Sequence, residues 1–125
     1  MKITQTFYFD AAHTLDRAVN VYDNLRSKNI HGHTYHASIS FRGEPDQDGM
    51  IRDFGHVKNI IDDLHLTLDH QYLNEVPGLG IPTIENLCLF IAKRLKSFDG
   101  LCEVSVERRA SGDKCTLEIE DNNEV

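Results

Sequence analysis

The sequence predicts an α+β domain in which a four-stranded antiparallel sheet carries two helices on one face, in the order β-β-α-α-β-β. Three observations lead to this prediction. Apolar and polar residues alternate in two long runs near the start of the chain and in two shorter runs near its end. Between these runs, apolar residues recur every three or four positions in two segments, each preceded by a helix-capping residue. Strands that enclose a pair of helices in this way are typical of α+β architecture.

Composition indicates one domain with a small-molecule partner. The chain has 125 residues and is 40% hydrophobic, which is enough for one core and too little for two. We therefore expect a single domain over residues 1–120 and a disordered tail over residues 121–125. A formal net charge of -7 without a basic run argues against a nucleic-acid partner, and no apolar run is long enough to predict a membrane partner.

The cysteine content indicates a reducing compartment. Cys88, Cys102 and Cys115 cannot all pair with one another, and none belongs to a C-x-x-C motif. Neither a disulfide framework nor a thiolate zinc site is indicated. We therefore expect a cytoplasmic protein.

The first two strands are predicted to bring three histidines together. The first strand runs from Ile3 to His13 and the second from His31 to Arg42. Because alternate residues of a strand point to the same side, His13 ends one inward face, and His31 with His33 begins another. Antiparallel pairing would place the end of the first strand beside the start of the second. Three nitrogen ligands with an open fourth position are typical of catalytic zinc; the alternative is three ordinary, partly buried histidines.

The segment that joins these strands, Thr14 to Asn29, is a long loop of mixed polarity. Long loops in compact domains are commonly functional. Ser27 lies four residues before His31, so we expect it within reach of the predicted metal. Its hydroxyl is a candidate nucleophile, base or substrate hydrogen-bonding group, although a hydroxyl without help is a poor base. A solvated serine in a turn is the alternative interpretation.

Two amphipathic helices follow the second strand. Asp53 is predicted to cap the first and Thr83 the second, and Glu85 in the first turn of the second helix is favourable against the helix dipole. We expect the second helix to continue to Asp99 and Gly100. The stripe of the first helix is Val57, Ile60, Ile61, Leu64 and Leu68, and that of the second is Ile84, Leu87, Cys88, Ile91, Leu95 and Phe98.

An adjacent acid and imidazole follow the first helix. Asp69 and His70 lie between apolar residues that we expect to anchor the segment. A carboxylate that holds an imidazole in one tautomer can form a proton relay. Adjacency in sequence does not by itself bring the two side chains into contact, so the pair is a catalytic candidate.

Two shorter strands complete the predicted sheet, joined by a turn from Ala110 to Asp113. In the third strand, Cys102, Val104, Val106 and Arg108 share one face and Glu107 belongs to the other. The fourth strand carries Cys115, Leu117 and Ile119 on one face.

Five segments, in this order, resemble the 6-pyruvoyltetrahydropterin synthases and the bacterial 6-carboxytetrahydropterin synthases of queuosine biosynthesis. The resemblance covers nearly the whole chain. It implies a tunnelling fold, in which the sheets of several subunits form a barrel, and a homohexamer with active sites between subunits. The segments are Phe9-Asp10-Ala11-Ala12-His13, His31-Gly32-His33, Asp53-Phe54, Leu68-Asp69-His70-Gln71-Tyr72-Leu73-Asn74 and Pro82-Thr83-Ile84-Glu85-Asn86.

The resemblance also implies a zinc-dependent lyase that acts on the side chain of 7,8-dihydroneopterin triphosphate. His13, His31 and His33 would bind the zinc ion, in agreement with the strand argument. Asp69 and His70 would assist proton transfer, and a cysteine in the loop before His31 would carry protons.

Two departures from the family pattern open a second possibility. Ser27 stands where the bacterial enzymes have the loop cysteine, and a hydroxyl has a much higher pKa than a thiol, whose ordinary value is about 8.5. Leu25 and Lys28 occupy the positions of the family's other bases. The glutamate that anchors the pterin in the family corresponds by strand parity to Arg108, with Glu107 one residue earlier, so both are candidate substrate-binding residues. Arg108 would prefer an acceptor or an anion.

The sequence therefore leaves two functions open. The first is a lyase most like 6-carboxytetrahydropterin synthase. The second is a zinc-binding homologue that has lost the standard reaction and binds or cleaves a different pterin- or purine-like ligand. A purely structural zinc domain is disfavoured, because three ligands leave one coordination position open.

Overall fold

The computed structural model describes residues 1–15 and 29–120, which contain four strands in a single antiparallel sheet. Neighbouring strands in the sheet are also neighbours in sequence, so the sheet order is β1-β2-β3-β4. The predicted α+β class and element order are confirmed. The strands are β1 (Lys2–His13), β2 (His31–Arg42), β3 (Leu101–Arg108) and β4 (Asp113–Glu118).

Two helices lie between β2 and β3 in the chain. They are α1 (Phe54–Leu68) and α2 (Ile84–Leu95), and a short 3₁₀ turn, Leu73–Glu75, separates them. α1 packs on β1, and α2 packs on β3 and β4. Both helices therefore cover the same face of the sheet, as the apolar patterns predict.

The core lies between this sheet face and the helices. Past the two histidines, the inward residues of β2 are completely buried, and most residues of the two helical stripes are buried, while Ile60, Ile84 and Phe98 are partly exposed. This is the arrangement that alternation in the strands and the helical period require. The completely buried side chains include Phe9, Tyr35, Ala37, Ile39, Phe41, Val57, Leu64, Leu68, Leu87, Ile91, Leu95, Val104 and Val106.

The predicted helix starts are confirmed by their capping contacts. The Asp53 carboxylate accepts the backbone N–H of Gly55 at 2.8 Å, and the Thr83 hydroxyl accepts that of Asn86 at 3.1 Å. Each contact satisfies an N–H that the helix itself leaves without a partner.

The predicted end of the second helix is wrong. α2 ends at Leu95, and Phe98 lies in the tight turn that follows, where its N–H donates to the carbonyl of Leu95 at 3.0 Å. From this turn its ring still packs edge-on against Phe41, with 6.4 Å between ring centroids. Because Phe98 packs against the core at the spacing expected of a helix, the apolar pattern runs past Leu95. The pattern alone therefore overestimates the length of α2.

Gly100 links the end of β2 to the start of β3. The backbone N–H of Arg42 donates to the carbonyl of Gly100 at 2.8 Å. Gly100 has a φ of 85°, and a Cβ at this position would lie 2.8 Å from the Arg42 carbonyl oxygen. Only glycine fits both the left-handed backbone and this close approach.

The three cysteines and the two helices also bear on what the sequence predicts. Cys88, Cys102 and Cys115 are free thiols, and Cys88 is buried in the core as its place in the helical stripe predicts. Across residues 1–15 and 29–120, no helix combines the length and apolarity that crossing a membrane requires.

Candidate metal centre and active site

Three imidazoles converge where β1 ends and β2 begins. In the antiparallel register His13 lies opposite His31, and Ala11 lies opposite His33. Nε2 of His13 is 2.9 Å from Nε2 of His31 and 3.2 Å from Nε2 of His33. His13 is buried, while His31 and His33 are partly exposed. The cluster is therefore closed on the side of the core, and a ligand can approach it from the two partly exposed rings.

Backbone carbonyls hold two of these rings in one tautomer. Nδ1–H of His13 donates to the carbonyl oxygen of Pro82 at 3.1 Å, and Nδ1–H of His31 donates to that of Asn29 at 2.8 Å. A proton on Nδ1 leaves the lone pair on Nε2, which is the atom directed at the other rings. Such outer contacts are typical of histidines that bind metals.

The donor set fits a zinc ion. Two Nε2 lone pairs that face each other across 2.9 Å repel, and a cation between them converts that repulsion into coordination. With Zn–N bonds of about 2.0–2.1 Å, a tetrahedral site requires nitrogens about 3.3–3.4 Å apart. The separations of His13 from His31 and from His33 are close to that spacing. Three neutral imidazoles also leave a fourth position for a water or a substrate oxygen.

The surroundings of the cluster favour the neutral form of His13 and His33. Burial is the main cause that lowers the pKa of His13, and the nearby His31 and Arg108 lower it further. Burial also lowers the pKa of His33 to about 4, with His13 and Arg108 as the next causes. A metal binds the neutral form of imidazole, so these residues need not lose a proton near neutral pH before they coordinate an ion.

Tyr35 is a neighbour of the cluster that the sequence analysis did not select as a site residue. Its hydroxyl lies 3.4 Å from Nδ1 of His13, and its ring centroid lies 5.7 Å from that of His33. Burial raises its pKa to about 12, so the phenol stays protonated at physiological pH. Tyr35 lies two residues after His33 on the same strand face, and this spacing could have identified it as a neighbour of the cluster.

The side chains of Asp69 and His70 contact one another, which adjacency in sequence alone did not require. Nδ1–H of His70 donates to one oxygen of the Asp69 carboxylate at 2.8 Å, and the other oxygen accepts the backbone N–H of Asp10 at 2.9 Å. The Asp10 N–H and then His70 lower the pKa of Asp69. The carboxylate in turn raises the pKa of His70.

Backbone hydrogen bonds to the outer edge of β1 hold this pair in place. His70 has a φ of 56°, and its backbone N–H donates to the carbonyl of Asp10 at 2.6 Å. The N–H of Ala12 donates to the carbonyl of Gln71 at 3.0 Å. The segment after α1 therefore pairs with β1 in the region that leads to His13.

The acid–imidazole pair and the three-histidine cluster are separate groups in the described chain. His70 is exposed, and within residues 1–15 and 29–120 no hydrogen bond joins the pair to the cluster. The cleft beside His70, about 510 Å³ in volume, is lined by Asp10, Ala11, Ala12, Gly32, His33, Thr34, His70, Gln71 and Tyr72. Asp10 and Thr34 belong to the outer sheet face and are joined by a hydrogen bond from the threonine hydroxyl to the carboxylate.

Arg108 and Glu107 lie on opposite faces of β3. The β2–β3 register shifts once, between Ser40 and Phe41, so that Leu101 and not Cys102 lies opposite the inward Phe41. The shift lies before Val104, and the β3–β4 register is regular through Arg108, which pairs with Asp113, so no bulge moves Glu107 to the inner face. Nη2 of Arg108 donates to the Asp113 carboxylate at 2.7 Å. On the outer face, Glu107 accepts a hydrogen bond from Nε of Arg109 at 3.0 Å. The residue on the face of the three histidines is therefore Arg108.

Ser27, Leu25 and Lys28 lie outside the described residues. The structure therefore does not test the predicted role of Ser27. It groups the three histidines with Tyr35 and Arg108. Among the described residues, the hydrogen bonds of Asp69, His70 and Glu107 go to other partners, although His70 and His33 line the same cleft.

Comparison with known proteins agrees with this architecture. The family model described as 6-pyruvoyl tetrahydropterin synthase matches residues 2–120. The chain belongs to this family.

Two curated relatives in the family carry different names. A 6-carboxy-5,6,7,8-tetrahydropterin synthase of Synechocystis sp. is 34% identical over 95 residues, which are 75% of this chain and 74% of that protein. A dihydroneopterin monophosphate aldolase of Pyrococcus furiosus is 34% identical over 88 residues, 70% of this chain and 68% of the relative.

A solved structure confirms the fold. The 6-pyruvoyl tetrahydropterin synthase of Caenorhabditis elegans superposes with a TM-score of 0.79 at 24% identity and covers 96% of both chains. The sheet and its two helices therefore form the tunnelling fold that the resemblance implies.

Proposed function

We propose that this protein is a zinc-dependent lyase that acts on the side chain of 7,8-dihydroneopterin triphosphate, most like the 6-carboxytetrahydropterin synthase of queuosine biosynthesis. The observation that carries the proposal is the convergence of Nε2 of His13, His31 and His33, with two Nδ1 atoms held by backbone carbonyls. Membership of the family and the similarity to a 6-carboxytetrahydropterin synthase support the substrate class.

His13, His31 and His33 would hold the metal, each through Nε2. Zinc held there would supply Lewis-acid chemistry: it would polarise substrate oxygens and make protons on the adjacent carbons more acidic. The chain's own contribution is to favour the neutral form of His13 and His33 and to orient His13 and His31 through backbone carbonyls. Burial of His13 and its contact with Pro82 do this on the side of the core.

His70 is the proposed proton carrier. Because its Nδ1–H is donated to Asp69, Nε2 is free to accept a proton, and the raised pKa favours the protonated ring once it forms. We propose that Ser27 contributes a hydrogen bond to substrate in the place of the family's thiol, while the Asp69–His70 pair supplies the base. Within the described part of the chain no hydrogen bond joins the pair to the cluster, which fits active sites that a second subunit completes.

The test is conversion of dihydroneopterin triphosphate by protein loaded with one zinc ion per chain. We expect release of triphosphate and acetaldehyde, loss of both in His70→Ala, and little change in His56→Ala, since His56 is exposed on α1. Full activity of His70→Ala would exclude the proposed base. A Ser27→Cys variant that gains activity from a silent parent would show that the scaffold is intact and only the thiol is missing.

A second candidate is cleavage of a different phosphorylated pterin. The similarity to a dihydroneopterin monophosphate aldolase and the serine at position 27 favour it. A retro-aldol cleavage would break one side-chain carbon–carbon bond and release a phosphorylated aldehyde in place of triphosphate and acetaldehyde. Incubation with the monophosphate and analysis of the released aldehyde separates the two activities.

We also propose a cytoplasmic homohexamer. The free thiols of Cys88, Cys102 and Cys115 suit a reducing compartment. β1 and β4 are the edges of the sheet. The segment after α1 pairs with β1 only near Asp10 and Ala12 among the described residues, and the rest of an edge strand can pair with another copy. Light scattering should then give about six times the 14.2 kDa chain mass; a monomer would exclude this assembly.

A further inference from the structure

Arg108 brings a permanent positive charge to the face of the sheet that holds the three histidines. It follows the buried Val104 and Val106 in strand alternation, so its side chain starts from the inner face. Glu107 pairs with His36 in the register of β2 and β3, so Arg108 comes next along that register beside Tyr35. The Tyr35 hydroxyl lies 3.4 Å from Nδ1 of His13, and its ring centroid lies 5.7 Å from that of His33. The guanidinium is thus a neighbour of the candidate metal centre, and only 21% of the side chain is exposed.

The described residues accept only some of the hydrogen bonds that the Arg108 guanidinium can donate. Asp113 accepts one hydrogen bond, from Nη2 at 2.7 Å, and the buried Nε has no partner among the described residues. Arginine offers five N–H donors in a planar fork. A buried charged donor without an acceptor is destabilising, so a group that arrives with several oxygens is stabilised beside it.

The charge balance specifies the kind of group. Asp113 offsets Arg108, and imidazole coordinates a metal in its neutral form, so a divalent ion held at the cluster would leave the region with a net positive charge. A neutral ligand does not correct this imbalance, whereas an anionic one does. An arginine fork matches the paired oxygens of a carboxylate or a phosphate.

We propose that Arg108 is a specificity-determining residue that binds an anionic oxygen group of the substrate, a phosphate or a carboxylate, beside the three-histidine centre. This inference rests on the proposed function, because it concerns the same site. In this arrangement a residue of β3 binds the charged end of the ligand. The ring of a pterin would then lie farther from Arg108 than its charged substituent.

Binding of three pterins to zinc-loaded protein tests this inference. The probes are 7,8-dihydroneopterin, its triphosphate and 6-carboxypterin, followed by ligand fluorescence, since the chain contains no tryptophan. We expect wild type to bind at least one anionic ligand about ten- to a hundredfold more tightly than dihydroneopterin, the range for a hydrogen bond to a charged group. The ligand that shows this preference identifies the group as phosphate or carboxylate.

Substitutions then assign the preference to Arg108. Arg108→Gln should abolish it, and Arg108→Lys, which keeps the charge without the fork, should retain part of it. Arg109→Gln is the matched control, because Arg109 is 63% exposed and pairs with Glu107 on the other face. If Arg108→Gln does not fold, wild type and Arg108→Lys are compared in the same way.

The inference and the proposed function fail in different ways. Equal affinities of wild type for charged and neutral pterins, or a preference that survives Arg108→Gln unchanged, would overturn the inference even if the enzyme turns over dihydroneopterin triphosphate. If Arg108→Gln does not fold, equal preferences in wild type and Arg108→Lys would overturn it. A preference that depends on Arg108 in a protein without turnover would support the inference and contradict the proposed reaction.

Discussion

The Nδ1–H of His13 donates to the carbonyl oxygen of Pro82 across 3.1 Å, although the two residues are 69 positions apart in the chain. This contact joins the end of β1 to the segment just before α2. It directs the lone pair of His13 toward His31 and His33, so packing of the helix layer takes part in orienting a candidate metal ligand.

Removal of one imidazole should remove the metal. We expect His31→Ala to weaken zinc binding by more than about 100-fold, because outer contacts alone change metal affinity by 10- to 100-fold. Zinc content after purification without chelators, followed by competition with a chromogenic chelator, measures the effect. His56→Ala, at an exposed position of α1, should keep one zinc per chain. Stoichiometric zinc in His31→Ala would argue against a three-histidine site.

The Asp69–His70 contact should give the stability a defined pH dependence. The folded pKa of His70 is raised from 6.5, so its contribution is fully present below about pH 6.5 and is lost as pH rises through the folded value. The folded pKa of Asp69 is lowered from 3.8, so its contribution is lost as pH falls through that lower value. The free energy of unfolding of wild type relative to Asp69→Asn should therefore be greatest between about pH 4 and pH 6.5.

Proton NMR titration checks the same contact directly. In Asp69→Asn the pKa of His70 should fall toward its ordinary value, and in Asp53→Asn, which changes the cap of α1, it should not move. An unchanged His70 titration in Asp69→Asn would show that the carboxylate does not hold the ring in solution.

Gly100 should tolerate a methyl group less well than another left-handed glycine. Gly112 has a φ of 79° and open space around its Cα, so Gly112→Ala should cost about 1–2 kcal/mol, the strain of a left-handed L-residue. Gly100→Ala adds a contact of 2.8 Å with the Arg42 carbonyl oxygen, and its free energy of unfolding should fall by at least about 1 kcal/mol more. Urea denaturation of both variants measures the difference; equal losses would mean that the β2–β3 junction shifts freely.

Local patterns in the sequence were sufficient to predict the α+β element order and the convergence of the three histidines. Alternation assigned His13, His31 and His33 to inward faces, and antiparallel pairing in the observed register brought their Nε2 atoms together. The caps at Asp53 and Thr83 were also readable, because a capping side chain acts within three residues of its own position.

The tertiary structure decided what depends on contacts distant in sequence. The partner of His13 Nδ1, the position of Tyr35 against that ring and the attachment of the Asp69–His70 segment to β1 all join separate elements. Phe98 shows the same limit, since its burial against Phe41 continues the helical pattern beyond the helix. From the sequence, either Glu107 or Arg108 could face the histidines, because a single bulge moves every later residue of a strand to the opposite face. The β3–β4 register is regular, so Arg108 is the residue on the histidine face.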